Sequence, residues 1–213
     1  MYKYTQKFVS DLLFLENTIR VGTLYGFRDM EAKQGISDPK EGEYEDTLHL
    51  DYFHMEEEDA HNPLLQHNLP GIMIQNSRDI KIINTRKSVN YIIYCTAHTK
   101  SKEIMNQFEG ADTCIEIYKK QTFYQLMTWA LAKELKTQVK FLGVHPVNYD
   151  HYNRVRYNPY EYSLHPVLAK TKEFEPQCEL RAIWEVPDDS LISKSFYDLS
   201  VTGLRKCCKL IEI

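Results

Sequence analysis

Polar and charged side chains interrupt segments at both ends of the chain that otherwise have the pattern of buried β-strands. The N-terminal example begins at Tyr2-Lys3-Tyr4-Thr5 and continues in residues 19–31, and the C-terminal example covers residues 174–184. Burying such groups costs free energy unless they are paired. A chain that places them in several strand-like segments is therefore predicted to build a site there, and not only a core.

Strand-like and helix-like patterns follow one another along the whole chain, which predicts an α+β architecture. Residues 2–5, 7–17 and 18–24 are predicted to form a strand, a helix and a second strand. Apolar spacing predicts another helix at 123–135. Further strands are predicted at 79–83 and 89–96, paired with one another, and at 113–118, 139–144 and 177–186. No repeat or linker interrupts these patterns, so residues 1–213 are predicted to form a single domain.

Composition narrows the classes of function that the chain can have. Its net charge of −4 requires any nucleic-acid site to be a local basic patch. The five cysteines are odd in number and contain no C-x-x-C pair, which argues against a disulfide framework and favours a reducing, cytoplasmic location. We expect no signal peptide, and no apolar run reaches about 18–20 residues, so we expect no membrane partner.

Residues 31–59 hold eleven acidic residues against two lysines. The favoured interpretation is a solvated loop with a polar edge strand. A metal site is the alternative, but no ligand spacing supports it, and no metal is predicted.

A carboxylate lies inside the last predicted long strand. Strand alternation places Gln177, Glu179 and Arg181 on one face. One interpretation is an exposed face with a Glu–Arg pair, because surface faces usually carry charges. The other is a carboxylate fixed on a central strand, able to bond a ribose hydroxyl and to stabilise positive charge on an anomeric carbon. Gln177 would then point toward the acceptor.

A second group of candidates follows the second strand. Gly22 has no side chain, and a glycine within a strand often marks a position that a ligand or another backbone approaches closely. Tyr25 can stack on a flat ring, and Arg28 can pair with a phosphate. The alternative is that Tyr25 and Phe27 are core aromatic residues and that Arg28 pairs locally with Glu31. Thr96, at the end of the 89–96 strand, lies where sites often occur and also where strands simply stop.

Residues 145–165 interleave tyrosines and arginines. Tyr152, Arg154, Arg156 and Tyr157 form its centre. Aromatic and cationic side chains in this order suit unpaired bases and phosphates. Lys170 and Lys172 downstream would extend the cationic path. The alternative is a tyrosine-rich loop packed over the sheet.

Several of these motifs together resemble an uncharacterised bacterial family. Its members open with Y-K-Y-R, continue to a strand and F-N-D-P, and close with E-x-E-x-R. Here the opening is Tyr2-Lys3-Tyr4-Thr5, and the closing motif is Gln177-Cys178-Glu179-Leu180-Arg181. Thr5 thus replaces the arginine of the opening, and Gln177 replaces the first glutamate of the closing motif.

The same layout is similar to that of ADP-ribosyltransferases, including DarT-like toxins. The opening of this chain, Tyr2-Lys3-Tyr4-Thr5, resembles the Y-x-F-T type of opening of those toxins. The resemblance implies a split mixed β-sheet with flanking helices and NAD as co-substrate. It implies catalytic roles for Glu179, Gln177 and Arg28. The residues that it implies bind NAD are Tyr4, Thr5, Arg20, Tyr25 and Thr96. Arg20 or Arg28 would stand in place of the His or Arg that these enzymes usually carry on the first strand.

The resemblance implies a bacterial toxin or anti-phage effector that transfers ADP-ribose to a nucleic acid, with RNA preferred over DNA. An antitoxin protein would then be a further partner. Two other functions stay open at this point. One is NAD hydrolysis, and the other is a non-catalytic module that binds a nucleic acid or a protein through residues 145–165.

Overall fold

The computed structural model describes residues 1–29, 42–53, 77–149 and 166–213. Its strands are β1 (Tyr2–Thr5), β2 (Thr18–Thr23), β3 (Glu43–Phe53), β4 (Ser77–Lys87), β5 (Ile92–Ala97), β6 (Thr113–Ile117), β7 (Lys140–Pro146), β8 (Glu179–Glu185), β9 (Phe196–Ser200) and β10 (Cys208–Ile211). Its α-helices are α1 (Lys7–Glu16), α2 (Leu24–Asp29), α3 (Lys102–Met105) and α4 (Lys120–Leu135). The predicted α+β class is confirmed.

Eight strands form one sheet in which β5 is the central strand. Every strand pair in the described ranges is antiparallel, so the prediction of a mixed sheet was wrong. One edge of β5 pairs with β8 along its whole length, from Ile92↔Trp184 to Ala97↔Glu179. The opposite edge pairs with β1 only at Ala97 and with β2 only at Ile92 and Ile93. The sheet therefore forks, with β1 and β2 diverging from one edge of β5.

Helix α1 joins the two strands of this fork. It buries Ser10 and Leu13 and ends where Asn17 adopts the left-handed conformation, which turns the chain back into β2. Both β1 and β2 run antiparallel to β5, and they are therefore parallel to each other. The predicted strand–helix–strand unit is confirmed.

Helix α4 covers one face of the sheet. Its buried Phe123, Met127 and Leu131 pack in a core that includes Tyr94 and Trp184. This helix confirms the prediction for residues 123–135. In the parts of the chain that the structure describes, no helix is both long and apolar enough to cross a membrane.

The other sheet is a hairpin of β3 and β4, paired from Glu43↔Lys87 to Phe53↔Ser77. The predicted pairing of residues 79–83 with 89–96 was therefore wrong. Five of the six residues of β5 are buried, so this strand needs cover on both faces and takes the centre of the main sheet. Apolar and polar residues alternate in the middle of β4, and this strand pairs with β3 outside the main sheet.

The strand that carries the predicted carboxylate begins later than expected. Residues Lys172–Gln177 form a 3₁₀ segment, and Cys178 follows in the left-handed conformation with φ of 47°. Strand β8 begins at Glu179. Gln177 therefore lies outside the strand, and the alternation argument holds for Glu179 and Arg181 but was wrong for Gln177.

Candidate functional site

A cleft of about 480 Å³ opens beside the fork of the sheet. Strand β1 lines it along its whole length, and Arg20 of β2 and Cys95 of β5 also contribute. Strand β8, which pairs with the other edge of β5, contributes Glu179 and Arg181. The segment before β8 contributes Gln177. Further lining residues include Thr96, Lys170 and three aromatic side chains besides Tyr4, namely Tyr2, Phe27 and Phe108.

The Glu179 carboxylate lies between two buried cations at this cleft. Arg181 Nε donates to Oε1 at 2.7 Å, and Lys170 Nζ donates to Oε2 at 3.0 Å. The exposed fractions of the three side chains are 5% for Glu179, 1% for Arg181 and 4% for Lys170. The interpretation of an exposed Glu–Arg pair was therefore wrong: the pair exists, but it is buried.

The ionic state of Glu179 follows from these neighbours. Burial alone raises the pKa of a carboxyl group, because it disfavours the charged form. The charges of Arg181 and Lys170, and hydrogen bonds from Arg181 and the Cys95 thiol, outweigh burial and hold the pKa of Glu179 well below its usual range. Burial also raises the pKa of the Cys95 thiol, which stays a neutral donor. Glu179 is thus ionised at neutral pH.

Gln177 reaches this cluster although it is not on the strand. Lys170 Nζ donates to Gln177 Oε1 at 3.0 Å as well as to Glu179. Both Gln177 and Lys170 are buried. The prediction that Lys170 extends an outer cationic path with Lys172 was wrong for Lys170, because its ammonium points inward. Sequence patterns thus predicted Gln177 and Glu179 as neighbours at one site, but they did not predict that Lys170 links the two side chains.

A further cation enters the cleft from β1. The partly buried Lys3 donates from Nζ to the Cys95 carbonyl at 3.0 Å and lies 5.1 Å from the centre of the Tyr94 ring. Burial lowers the pKa of Lys3, and the charge of Lys170 lowers it further, against the opposite effects of Cys95 and Glu179. In the described ranges, Lys3 has no carboxylate within ion-pair distance.

The structure brings four of the five residues predicted for NAD to the cleft wall: Tyr4, Thr5, Arg20 and Thr96. The Tyr4 hydroxyl donates to the Thr99 carbonyl and accepts from the Ser101 N–H, both at 2.8 Å, and its ring stacks on Phe108. Arg20 is held in a two-bond ion pair with Asp198, at 2.7 and 2.8 Å. Tyr4 and Arg20 are therefore fixed in place by their own partners.

Tyr25 and Arg28 lie elsewhere, in helix α2, and are not among the lining residues of the cleft. The Tyr25 hydroxyl donates to the Ser88 carbonyl at 3.0 Å, and the Arg28 guanidinium lies over the Tyr25 ring at 4.7 Å. Arg28 also pairs with Glu43 at 3.6 Å. The structure does not bring these two residues to Glu179, and the partner of Arg28 in the described ranges differs from the predicted Glu31.

Tyr152, Arg154, Arg156 and Tyr157, predicted for nucleic acid, lie outside the described residues, as do Glu31 and most of the acidic segment. The residues on either side of 150–165 are described and reach the site. The Tyr149 hydroxyl accepts from the Glu179 N–H at 3.0 Å, and the Val167 carbonyl accepts from Arg181 Nη1. Asn148 and Ala169 form a parallel bridge. Two described residues that flank 150–165 in the sequence are thus hydrogen-bonded to the site, Tyr149 to Glu179 and Val167 to Arg181.

Within the described ranges, no group of three or more His, Cys, Asp or Glu side chains could hold a metal ion. The described lining residues offer the cleft the buried Glu179 carboxylate, a second carboxylate at Glu109, several cations and aromatic rings. A search of protein-family models, of curated proteins and of solved structures found no match to this chain.

Sequence reasoning missed Lys3, Cys95 and Lys170 as site residues. The two lysines each had a weak signal. Lys3 is a lone cation between two tyrosines in a strand, and Lys170 directly follows the apolar run Val167-Leu168-Ala169. A single lysine next to buried residues is the pattern that could have indicated a buried ammonium.

Proposed function

We propose that this protein is an NAD-dependent ADP-ribosyltransferase. The observation that carries the proposal is an ionised Glu179 carboxylate, buried between two cations, at the wall of a cleft where β1 and β2 diverge. A volume of about 480 Å³ falls within the usual size range of small-molecule sites. Charged groups and aromatic rings line it together, which suits a ligand with both phosphates and flat rings.

The local charge supports a phosphate-bearing ligand. Four of the described lining residues are cationic and two are acidic, although the net charge of the whole chain is −4. An excess of cations in a cleft raises the local concentration of anionic ligands. NAD is such a ligand because it carries a diphosphate.

In the proposed reaction, the bond between ribose C1′ and the nicotinamide nitrogen breaks, and its electron pair leaves with nicotinamide. A nucleophilic atom of the acceptor then forms the new bond to C1′ and releases its proton. Positive charge grows on the ribose between these events. A fixed, ionised carboxylate stabilises that charge, and this is the role proposed for Glu179.

Glu179 is catalytic in this scheme only if one of its oxygens faces the ribose. In the structure both oxygens are bonded to cations. We propose that NAD binding exchanges these contacts: the Lys170 ammonium moves to the diphosphate and frees Oε2. The exchange replaces one charge-assisted hydrogen bond by another, so its free-energy cost is small compared with leaving Lys170 unpaired.

The test is nicotinamide release from NAD labelled on the adenylate phosphate, with and without single-stranded RNA or DNA. The wild type should release nicotinamide and transfer label to nucleic acid. Glu179→Gln should lower the rate at least about 10²-fold. The matched control is Glu185→Gln, on the same strand, whose side chain is 43% exposed and pairs only loosely with Lys140 at 3.8 Å. Circular dichroism should show that each variant is folded at the assay temperature.

Three outcomes separate the alternatives. Release that requires nucleic acid and labels it supports the transferase. Equal release with and without any acceptor, and no label transfer, identifies an NAD glycohydrolase instead. No release from the wild type under any condition contradicts the proposal and leaves the non-catalytic binding module.

As a transferase of this kind, the protein is proposed to act in the cytoplasm as a toxin or anti-phage effector, held in check by an antitoxin protein. Expression of the wild type in bacteria should arrest growth, and Glu179→Gln should relieve the arrest at equal protein level. Equal toxicity of the two would indicate a binding mechanism in place of catalysis.

A further inference from the structure

Lys3 differs from the other cations of the cleft. Arg20 is paired with Asp198, and Lys170 and Arg181 are both paired with Glu179. Lys3 donates to one backbone carbonyl, and in the described ranges it has no carboxylate partner. An ammonium group carries three donors, so the Cys95 carbonyl uses one of them. Within the described ranges, Lys3 therefore presents to the cleft a charge and donors that no carboxylate takes up, besides its contact with the Tyr94 ring.

Such an arrangement is unfavourable without a ligand. Partial burial of an ammonium group costs free energy that a carboxylate partner normally offsets. The nearby Lys170 ammonium adds repulsion. A bound anion would remove both penalties, and Lys3 can receive it without giving up an ion pair, whereas Lys170 and Arg181 would first have to leave Glu179.

We propose that Lys3 binds a phosphate group of a nucleotide in the cleft. Phosphate fits this position better than a carboxylate does, because it offers more charge and three acceptor oxygens to a group of neighbouring cations. The aromatic rings of Tyr2, Tyr4 and Phe108 line the same cleft and provide apolar surface for the rest of a nucleotide. That this nucleotide is NAD rests on the proposed function, whereas phosphate binding by Lys3 does not.

The experiment measures the binding of inorganic pyrophosphate, ADP and adenosine to the full chain by calorimetry. The wild type should bind ADP and pyrophosphate, and adenosine much more weakly. Lys3→Met should weaken both phosphate ligands about 10- to 100-fold, as expected for a lost charge-assisted hydrogen bond. Lys3→Arg keeps the charge and should stay within a few-fold of the wild type. Lys209→Met is the matched control, since Lys209 lies on the edge strand β10, is exposed and pairs with Glu116 of β6.

A second readout needs no variant. Acetylation of the wild type, followed residue by residue by mass spectrometry, should modify Lys3 more slowly when pyrophosphate is present, with no change at Lys209. This measurement keeps the proposal testable if Lys3→Met does not fold. A third readout is the thermal stability of the unliganded protein, which Lys3→Met should raise, because it removes a charge that has no carboxylate partner in the described ranges.

The outcomes distinguish this proposal from the proposed function. Pyrophosphate binding that depends on Lys3, without any nicotinamide release from NAD, supports the phosphate site and contradicts the transferase. Nicotinamide release with normal ADP affinity in Lys3→Met contradicts the phosphate site and leaves the transferase intact. Absence of pyrophosphate and ADP binding to the wild type, or equal acetylation of Lys3 with and without pyrophosphate, overturns the assignment of Lys3.

Discussion

At the scale of single residues, the cluster around Glu179 is costly to maintain. Buried ion pairs repay their desolvation only with good geometry, and well-packed apolar residues of similar size are often as stabilising. The chain nevertheless buries a carboxylate, two paired cations and a glutamine at one point. Such a cost is typical of a site, where charge is needed for binding or chemistry.

The first prediction concerns the stability of this cluster. Glu179→Gln keeps the shape of the side chain but leaves Lys170 and Arg181 without their shared carboxylate. The free energy of unfolding should fall by about 3–5 kcal/mol, as measured for broken buried pairs. Glu185→Gln should change it by less than about 0.5 kcal/mol. Urea denaturation of the three proteins checks this. Equal stability of Glu179→Gln and the wild type would show that the two cations have other adequate partners.

The same carboxylate gives stability a defined pH dependence. Its folded pKa is depressed, so its contribution is complete above the unfolded pKa of about 4.3 and is lost as pH falls toward the folded pKa. The stability difference between the wild type and Glu179→Gln should therefore be constant at pH 6–8 and shrink below about pH 4. A difference that stays constant down to about pH 3 would contradict the depressed pKa.

Residue patterns predicted Glu179 and Arg181 because strand alternation is a local property. They gave only a weak signal for Lys3 and Lys170, because what places those ammonium groups at the site is contact between distant parts of the chain. The hydrogen bond from Lys3 joins residues that are 92 positions apart in the sequence. Lys170 is separated from Glu179 in the sequence by a 3₁₀ segment, which sequence patterns did not indicate.

At the scale of elements, the junction of β2 and α2 shows what a glycine near the site does. Gly22 was predicted to admit a ligand or another backbone. The structure instead places the Phe27 ring against it: an added Cβ would lie 2.2 Å from Cε2. Gly26, four residues later, packs on backbone, and its added Cβ would lie 2.3 Å from the Ser195 carbonyl oxygen. Phe27 in turn lines the cleft.

These two glycines make a matched pair for mutation. A ring can rotate away, whereas the Ser195 backbone is held by hydrogen bonds from the Thr23 N–H and hydroxyl. Gly26→Ala should cost near 3 kcal/mol and Gly22→Ala nearer 1 kcal/mol, the two ends of the usual range of about 1–3 kcal/mol for overpacking. Phe27→Leu should recover part of the loss in Gly22→Ala but none in Gly26→Ala. Denaturant titrations test both, and the reverse order would show that backbone gives way more easily than the ring.

Elements with a clear period were predicted, whereas the short helices α2 and α3 were not. Helix α4 is 16 residues long and shows its apolar face in the sequence. Helix α2 has six residues, fewer than two turns, and no period can be read from it. The β4 strand was predicted to pair with β5 because few residues separate the two, but burial places β5 in the main sheet and leaves β4 to pair with its other neighbour in sequence, β3.

At the scale of the whole molecule, the described chain divides into a large sheet with a shared core and a hairpin of β3 and β4 that pairs only with itself. A two-stranded hairpin alone is marginally stable in water. Native-state hydrogen exchange should therefore show lower protection for backbone amides in β3 and β4 than in β5 and β8. Equal protection of all four strands would indicate that the hairpin unfolds only together with the main sheet.

The last prediction concerns how an acidic molecule binds an anionic acceptor. With a net charge of −4, the chain needs a local cationic path. In the sequence, Arg154 and Arg156 come between Tyr149, which is hydrogen-bonded to Glu179, and Val167, which is hydrogen-bonded to Arg181. Stacking contributes about 1–3 kcal/mol per base, and each phosphate contact on a single strand adds a log–log salt slope of about −0.7. Arg154→Ala/Arg156→Ala should lower transfer to single-stranded RNA or DNA without changing NAD cleavage, and wild-type transfer should weaken as salt rises.

Lys194→Ala/Lys209→Ala, which removes two exposed cations, is the control for net charge. Normal transfer by the arginine variant at every salt concentration would exclude this segment as the nucleic-acid site and make a protein the better acceptor.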